Sequence, residues 1–190
     1  MVLYGPPSSG KDTVSAELSR LRPEYELFQR LKAGPGRTTG YRLTTAEHIE
    51  QLARDGELLY RNSRYDAAYA IDTLGVSTLV DSGRIPVLHM GQVTGVRAVG
   101  AFPIPWAKVL LWCPRDVTEE RCQGRGDNDL ETRLKVWDET RRDLLDHAND
   151  PWSLVIETQN LDPSETARAI DQAVQGGTAA EVRDIARLVG

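Results

Sequence analysis

Gly5, Gly10 and Lys11 stand at the spacing G-x-x-x-x-G-K within Gly5-Pro6-Pro7-Ser8-Ser9-Gly10-Lys11-Asp12-Thr13. In such a loop, backbone N–H groups wrap a triphosphate, and the helix that follows points its positive end at the same anion. Lys11 is then placed to reach the β- and γ-phosphates of ATP or GTP. Asp12 takes the position that ordinarily carries Ser or Thr, whose hydroxyl meets Mg²⁺. Its carboxylate is a candidate metal contact, directly or through water, with Thr13 beside it. Capping the helix or pairing with a cation are its plainer roles. The nucleotide-holding set is Gly5, Ser8, Ser9, Gly10, Lys11, Asp12 and Thr13.

A second group of cations lies in Arg30-Leu31-Lys32-Ala33-Gly34-Pro35-Gly36-Arg37, inside a chain of net charge -5. A phosphate dianion needs several charge-assisted donors, and arginine supplies a bidentate fork that lysine cannot. A solvated basic loop is the bland alternative; three cations with glycines inside an acidic chain favour a phosphate site. Further on, Arg125 sits between Gly124 and Gly126, where packing gives it no reason to be.

These residues need elements to position them. Met1-Val2-Leu3-Tyr4 is apolar and β-prone, and Val14, Leu18 and Leu21 recur on one face of a helix that Pro23 ends. Strand, loop, lysine and helix in register argue against a surface turn with an incidental lysine. A helical segment is expected from Ile71 to Asp81, then a strand from Ile85 to His89-Met90. Lys108 to Cys113 reads as a buried parallel strand. Asp116 is the expected cap of the next helix, a polar helix covers Leu130 to Ala148, and Trp152 to Glu157 is a strand. Pro163 to Gln175 is a helix with Ser164 as cap. A last amphipathic segment, Ala179 to Val189, needs a partner surface.

Alternating strands and helices predict an α/β fold with a parallel central sheet. The stretch 30–71 breaks the alternation and reads as an inserted acceptor-binding segment. It holds a loop (30–40), a short strand at Tyr41-Arg42-Leu43, and a helix opened by a Thr44-to-Glu47 capping box. The expected division of a single domain is a core of 1–29, 72–123 and 134–190, an insertion of 30–71 and a lid of 124–133.

At 190 residues the chain is long enough for a core without staples. Its acidic balance disfavours nucleic acid and anionic membranes as partners. Cys113 and Cys122 lack partner histidines at zinc spacing, so neither a disulfide framework nor a zinc site is expected. No run approaches the ~20 apolar residues that span a bilayer. The loop begins so early that no signal peptide is read, and a cytoplasmic monomer or homodimer is expected.

Taken in order, these pieces resemble guanylate kinase and its relatives. Tyr41-Arg42-Leu43-Thr44-Thr45-Ala46-Glu47 and Gly56-Glu57-Leu58-Leu59 are similar to that family's tyrosine strand, helix and Gly-Glu-Phe-Leu segment. Gly124-Arg125-Gly126 resembles its lid, and Glu131-Thr132-Arg133-Leu134 the start of the helix after it. The resemblance implies a P-loop NTPase three-layer αβα fold, with ATP as phosphoryl donor, Mg²⁺, and a phosphorylated small-molecule acceptor, foremost a nucleoside monophosphate or analogue. It places the acceptor phosphate on Arg30, Tyr41 and Tyr69, with Lys32 or Arg37 for a second arginine. Lys11, Arg125 and Arg133 become the catalytic cations, with Arg141 a weaker candidate. The plain alternative for these arginines is a helix-surface ion pair with Asp127, Asp129 or Asp138.

The departures bear on the acceptor. Tyr60, Ile71 and Met90-Gly91-Gln92 stand where that family reads guanine, and none supplies an acid. GMP is therefore expected to be a poor acceptor. Ribose 1,5-bisphosphate phosphokinases are also similar, sharing Gly-Lys-Asp in the loop and a strand end like Leu88-His89-Met90-Gly91-Gln92. A kinase of that kind, or one acting on another phosphorylated metabolite, is the alternative; a non-catalytic interaction module is the alternative of another class. His89, at a strand's C-terminal end, is a candidate acceptor contact or a hydrogen-bonded core histidine. No strand acid offers itself for the metal, which leaves Asp81 or a distant carboxylate.

Overall fold

The computed structural model describes residues 1–64, 66–126, 129–177 and 183–190. In chain order these form β1 (Val2–Tyr4), α1 (Lys11–Leu21), β2 (Tyr25–Leu27), β3 (Leu31–Ala33), β4 (Arg42–Leu43), α2 (Ala46–Arg54), β5 (Leu58–Arg64) and β6 (Ala67–Asp72). Then come α3 (Thr73–Asp81), β7 (Ile85–Met90), α4 (Val93–Gly100), β8 (Lys108–Trp112), α5 (Arg115–Gly124), α6 (Leu130–Asp146), β9 (Leu154–Glu157), α7 (Pro163–Gln175) and α8 (Ile185–Val189).

The expected parallel sheet is present, with five strands in the order β2-β7-β1-β8-β9. Successive strand residues face opposite sides, and the sequence makes both sides apolar. Met1, Leu3, Val87, Val109 and Leu111 meet Val14 and Leu18 of α1 and Ala167 and Ile170 of α7. Val2, Tyr4, Leu88, Met90, Leu110 and Trp112 meet Val76 of α3, Val96 of α4, Trp137 and Leu144 of α6, and Ile185 of α8. Two apolar faces with helices on each give the three layers. β1 sits between β7 and β8, so the loop after it opens at the carboxyl edge of the sheet, where α/β sheets bind ligands.

A second sheet, ordered β4-β3-β6-β5, stands apart from the first. It has a small core of its own around Leu31, Ala33, Ile49 and Ala70.

Several local expectations are corrected. Ile71 and Asp72 belong to β6, and Asp72 caps α3 by accepting from the Gly75 N–H at 2.9 Å. The stretch 30–40 is not all loop, since β3 lies within it. α2 is capped by Thr45, which accepts from the His48 N–H at 3.1 Å, and not by a box from Thr44 to Glu47. Pro114 occupies the N-cap of α5, so Asp116 falls inside the helix. Asp162, not Ser164, caps α7, in a capping box with Glu165. Pro163 fixes that start, because its ring pre-sets helical φ where no N–H is needed. α6 ends at Asp146, short of Ala148. Helix α4, short, apolar and carrying two glycines, was not expected. Of the C-terminal amphipathic segment, residues 179–182 lie outside the described residues; Ile185 and Val189 of α8 pack on the α6 side of the core.

Candidate active site

The loop between β1 and α1 is held by one close approach. A Cβ on Gly5 would lie 2.1 Å from the Leu111 carbonyl oxygen, so only glycine lets the loop rest on the end of β8. Gly10 is left-handed, with φ 92°, and is the N-cap of α1 with no side chain capping it. The first-turn N–H groups are thereby left for an anion. The Lys11 ammonium folds back over the loop and donates to the Gly5 and Pro6 carbonyl oxygens at 2.7 and 2.8 Å and to Ser9 Oγ at 3.3 Å. Burial, its largest influence, pulls its pKa down to about 8.

Two arginines meet this loop. Arg125 Nη2 donates to Ser8 Oγ at 2.5 Å. Arg121 donates from Nη1 to the Ser8 carbonyl oxygen at 3.0 Å and from Nη2 to the Thr158 carbonyl oxygen at 2.8 Å. Ser8, Ser9, Gly10, Thr13, Arg121, Arg125 and Thr158 line one cavity of about 260 Å³. Arg121 and Thr158 were missed. Arg121 lies in the last turn of α5, four residues before Arg125 at that helix's C-cap, a spacing that could have drawn attention to it. Nothing in the sequence pointed to Thr158.

Asp12 projects into solvent, its side chain 89% exposed, with Oδ1 3.5 Å from His89 Nδ1. His89 Nε2 lies 2.6 Å from Ser15 Oγ. Burial, and after it the charge of Lys11, pushes the His89 pKa down to about 4, and the Asp12 charge does not offset this. At neutral pH the ring is uncharged, so its contact with Asp12 is polar and not an ion pair. His89 is the penultimate residue of β7, in register with Leu3 of β1, where a strand acid was sought. Asp81 lies instead at the exposed end of α3. Among the described residues no three His, Cys, Asp or Glu side chains gather as a metal site. One exposed carboxylate beside a phosphate loop does suit Mg²⁺, which is commonly bound through one or two carboxylates with substrate phosphates and water.

A second cavity, about 470 Å³, is lined by Arg30, Tyr41, Tyr60, Tyr69, Gln92 and Asp143, among others. The Arg30 guanidinium lies 5.4 Å from the Tyr69 ring centre, and the Tyr41 and Tyr69 rings are 5.4 Å apart. Tyr60 is seated against α4 because residue 95 is glycine: a Cβ there would lie 2.9 Å from Tyr60 Cζ and 2.2 Å from Met90 Cε.

Lys32 lies buried behind this cavity, its ammonium 5.8 and 5.9 Å from the Tyr41 and Tyr69 ring centres, and it donates to the Pro35 and Arg37 carbonyl oxygens at 2.5 and 2.8 Å, holding the 34–37 turn. The remaining candidates are placed elsewhere. Arg37 donates to the Thr39 carbonyl oxygen at 3.2 Å and does not line the cavity. Ile71 is fully buried in the main core. Arg133 pairs with Asp129 at 2.7 Å on α6. Arg141 donates to the Val189 carbonyl oxygen at 2.6 Å and ties α8 to α6.

Helix α6 brings two acids, Glu139 and Asp143, to this cavity. Val136, Glu139, Thr140 and Asp143 recur at i, i+3, i+4, i+7 and line one wall. That period was in the sequence, but only the fold shows which cavity the face meets.

No protein-family model matches the chain, and no curated protein matches it. Among solved structures the chain is similar to guanylate kinase from Anaplasma phagocytophilum, with a TM-score of 0.65 and 18% identity over 93% of this chain and 84% of that one. At this identity the likeness concerns the fold, which is guanylate-kinase-like.

Proposed function

We propose that the protein is an ATP-dependent kinase that transfers the γ-phosphoryl group to the phosphate of a small acceptor. What supports this reading is that two cationic sites open at one edge of the sheet. The phosphate loop follows Tyr4 of β1, and Gly91 and Gln92, in the lining of the Arg30 cavity, follow Met90 of β7, the register partner of Tyr4. A donor phosphate on Lys11 and an acceptor phosphate on Arg30 would therefore share the crevice at the ends of β1 and β7.

In the transfer, an acceptor phosphate oxygen forms a bond to the γ-phosphorus, the bond from that phosphorus to the β–γ bridging oxygen breaks, and ADP leaves. An acceptor phosphate is already ionised at pH 7, so no general base is needed. Catalysis then rests on positioning and charge neutralisation. The loop N–H groups and Lys11 hold the donor phosphates. Arg125, already over Ser8, supplies positive charge as it spreads over the equatorial oxygens. Arg30, Tyr41 and Tyr69 hold the acceptor. Asp12, with Thr13 beside it, would hold the metal, which when bound would supply neutralisation of phosphate charge.

Calorimetric titration of ATP tests the donor half. Wild type binds and Lys11→Ala binds at least tenfold more weakly; a wild type that binds no ATP refutes the reading and leaves an interaction module.

A further inference from the structure

His89 and Asp12 come from different elements and meet beside the phosphate loop. His89 stands near the end of β7 and Asp12 in the first turn of α1, with His89 Nδ1 3.5 Å from Asp12 Oδ1. The carboxylate is exposed, while the imidazole behind it is 18% exposed. The pair is therefore open to a ligand from the side of the acid and backed by the ring. His89 is not among the residues that line the Arg30 cavity, so its work lies on the donor side.

The ring is anchored through its other nitrogen. His89 Nε2 lies 2.6 Å from Ser15 Oγ, which in turn lies 2.8 Å from the Lys11 carbonyl oxygen. A hydroxyl has one hydrogen and two lone pairs. With its hydrogen on the Lys11 carbonyl, Ser15 accepts from Nε2–H, and Nδ1 keeps its lone pair beside the Asp12 carboxylate. Two acceptors then stand together, and only a cation satisfies both. With the ring hydrogen on Nδ1, Ser15 donates to Nε2 and Asp12 accepts from the ring. Ser15 serves both arrangements, so Nδ1 is released for a metal without leaving Nε2 unpaired. Metal-binding histidines are held in this way, the second nitrogen donating to a neighbouring acceptor.

Nitrogen and oxygen ligands about 2.0–2.2 Å from one ion, at angles of about 90–110°, stand roughly 3–3.6 Å apart. The separation of 3.5 Å between Nδ1 and Oδ1 falls in that span. Carboxylates and phosphates suit Mg²⁺, whereas an imidazole nitrogen shifts preference toward ions of the first transition row. We infer that Asp12 and His89 are paired ligands for the ion that accompanies the triphosphate, and that the pair favours Mn²⁺ or Co²⁺ over Mg²⁺. This rests on the kinase reading, which puts a triphosphate in the loop. The Lys11 ammonium in the same loop repels a bare cation, so the ion binds with the triphosphate and not alone.

The probe is Mn²⁺ with a non-hydrolysable ATP analogue on the intact chain. Pulsed EPR of the ternary complex should show a nitrogen coupling to Mn²⁺ that changes from ¹⁴N to ¹⁵N when histidine alone is labelled. His89→Asn should remove it. By calorimetry, the analogue saturated with Mn²⁺ should bind about tenfold more tightly than the analogue saturated with Mg²⁺. His89→Asp makes the pair all-oxygen and should shrink that ratio. The labelling experiment needs only the wild-type chain and decides the matter even where a variant misfolds. A ternary complex without histidine coupling, or an equal metal ratio in wild type and a folded His89→Asp, overturns the inference and leaves the ring as a hydrogen-bond partner that orients Asp12. Analogue binding without that coupling sinks this inference alone, whereas no analogue binding with either ion sinks the kinase reading and this inference with it.

Discussion

The Lys11 ammonium donates to the Gly5 carbonyl oxygen at 2.7 Å, so the catalytic lysine candidate is held by the loop it serves. Burial lowers its pKa to about 8. Below that value the ammonium is present and attracts a triphosphate; above it the charge is lost. ATP affinity should therefore fall as pH rises through about 8, and Lys11→Met should flatten that limb of the profile. The stability sign is opposite. A lysine whose folded pKa lies below its unfolded value of 10.5 carries a full desolvation penalty below about pH 8. That penalty is relieved between about 8 and 10.5, so this group makes the protein more stable with rising pH there. Calorimetric ATP titrations and thermal melts across pH 7–10 check both signs.

Gly5→Ala would place a methyl 2.1 Å from the Leu111 carbonyl oxygen, which is backbone and cannot swing away. The loop must lift off β8. The expected cost is about 1–3 kcal/mol of stability, with loss of ATP binding. Denaturant unfolding and ATP titration of the same variant check it; native stability with intact ATP binding would contradict the seating of the loop.

Arg121 and Arg125 both meet Ser8 but should fail differently when removed. Arg121 ties the loop backbone to Thr158, so Arg121→Ala should lower the melting temperature and weaken ATP binding. Arg125 reaches the loop through the Ser8 side chain, and Arg125→Ala should spare ATP affinity while lowering kcat by about 10². Steady-state kinetics and melts on both variants separate the roles.

Arg30 and Lys32 sit two residues apart with different expected work. Arg30→Ala should raise the KM for the acceptor by about 10- to 100-fold, the loss of a charge-assisted donor pair, with little change in melting. Lys32→Met should mainly lower the melting temperature, because the buried ammonium holds the carbonyl groups of Pro35 and Arg37. A large acceptor KM effect from Lys32→Met with unchanged melting would reverse these assignments.

The phosphate loop was legible in the sequence because it is local. Gly5, Gly10 and Lys11 act through loop geometry encoded in consecutive residues, and β1 and α1 flank them by period alone. The cavity around Arg30 is assembled from distant segments. Lys32 reads as a phosphate ligand by type, yet the turn at 34–37 draws its ammonium inward. Arg133 reads as a lid cation, yet Asp129 one turn earlier pairs with it. Asp143 reads as an ordinary polar position on α6, and only the packing of that helix on Tyr4 and Val93 makes it part of a cavity. Capping errors have one source: when Thr44 and Thr45, or Asp162 and Ser164, both offer an oxygen near a helix start, sequence alone does not rank them. Pro163 resolves the second case, because it must sit at the first helical position.

Phosphoryl transfer itself is the direct test. Wild-type protein is mixed with ATP, Mg²⁺ and, in turn, each nucleoside monophosphate and ribose 1,5-bisphosphate, and ³¹P NMR follows the products. The kinase reading requires ADP together with a newly phosphorylated acceptor in at least one mixture, absent with Lys11→Ala. ATP left intact in every mixture would contradict it.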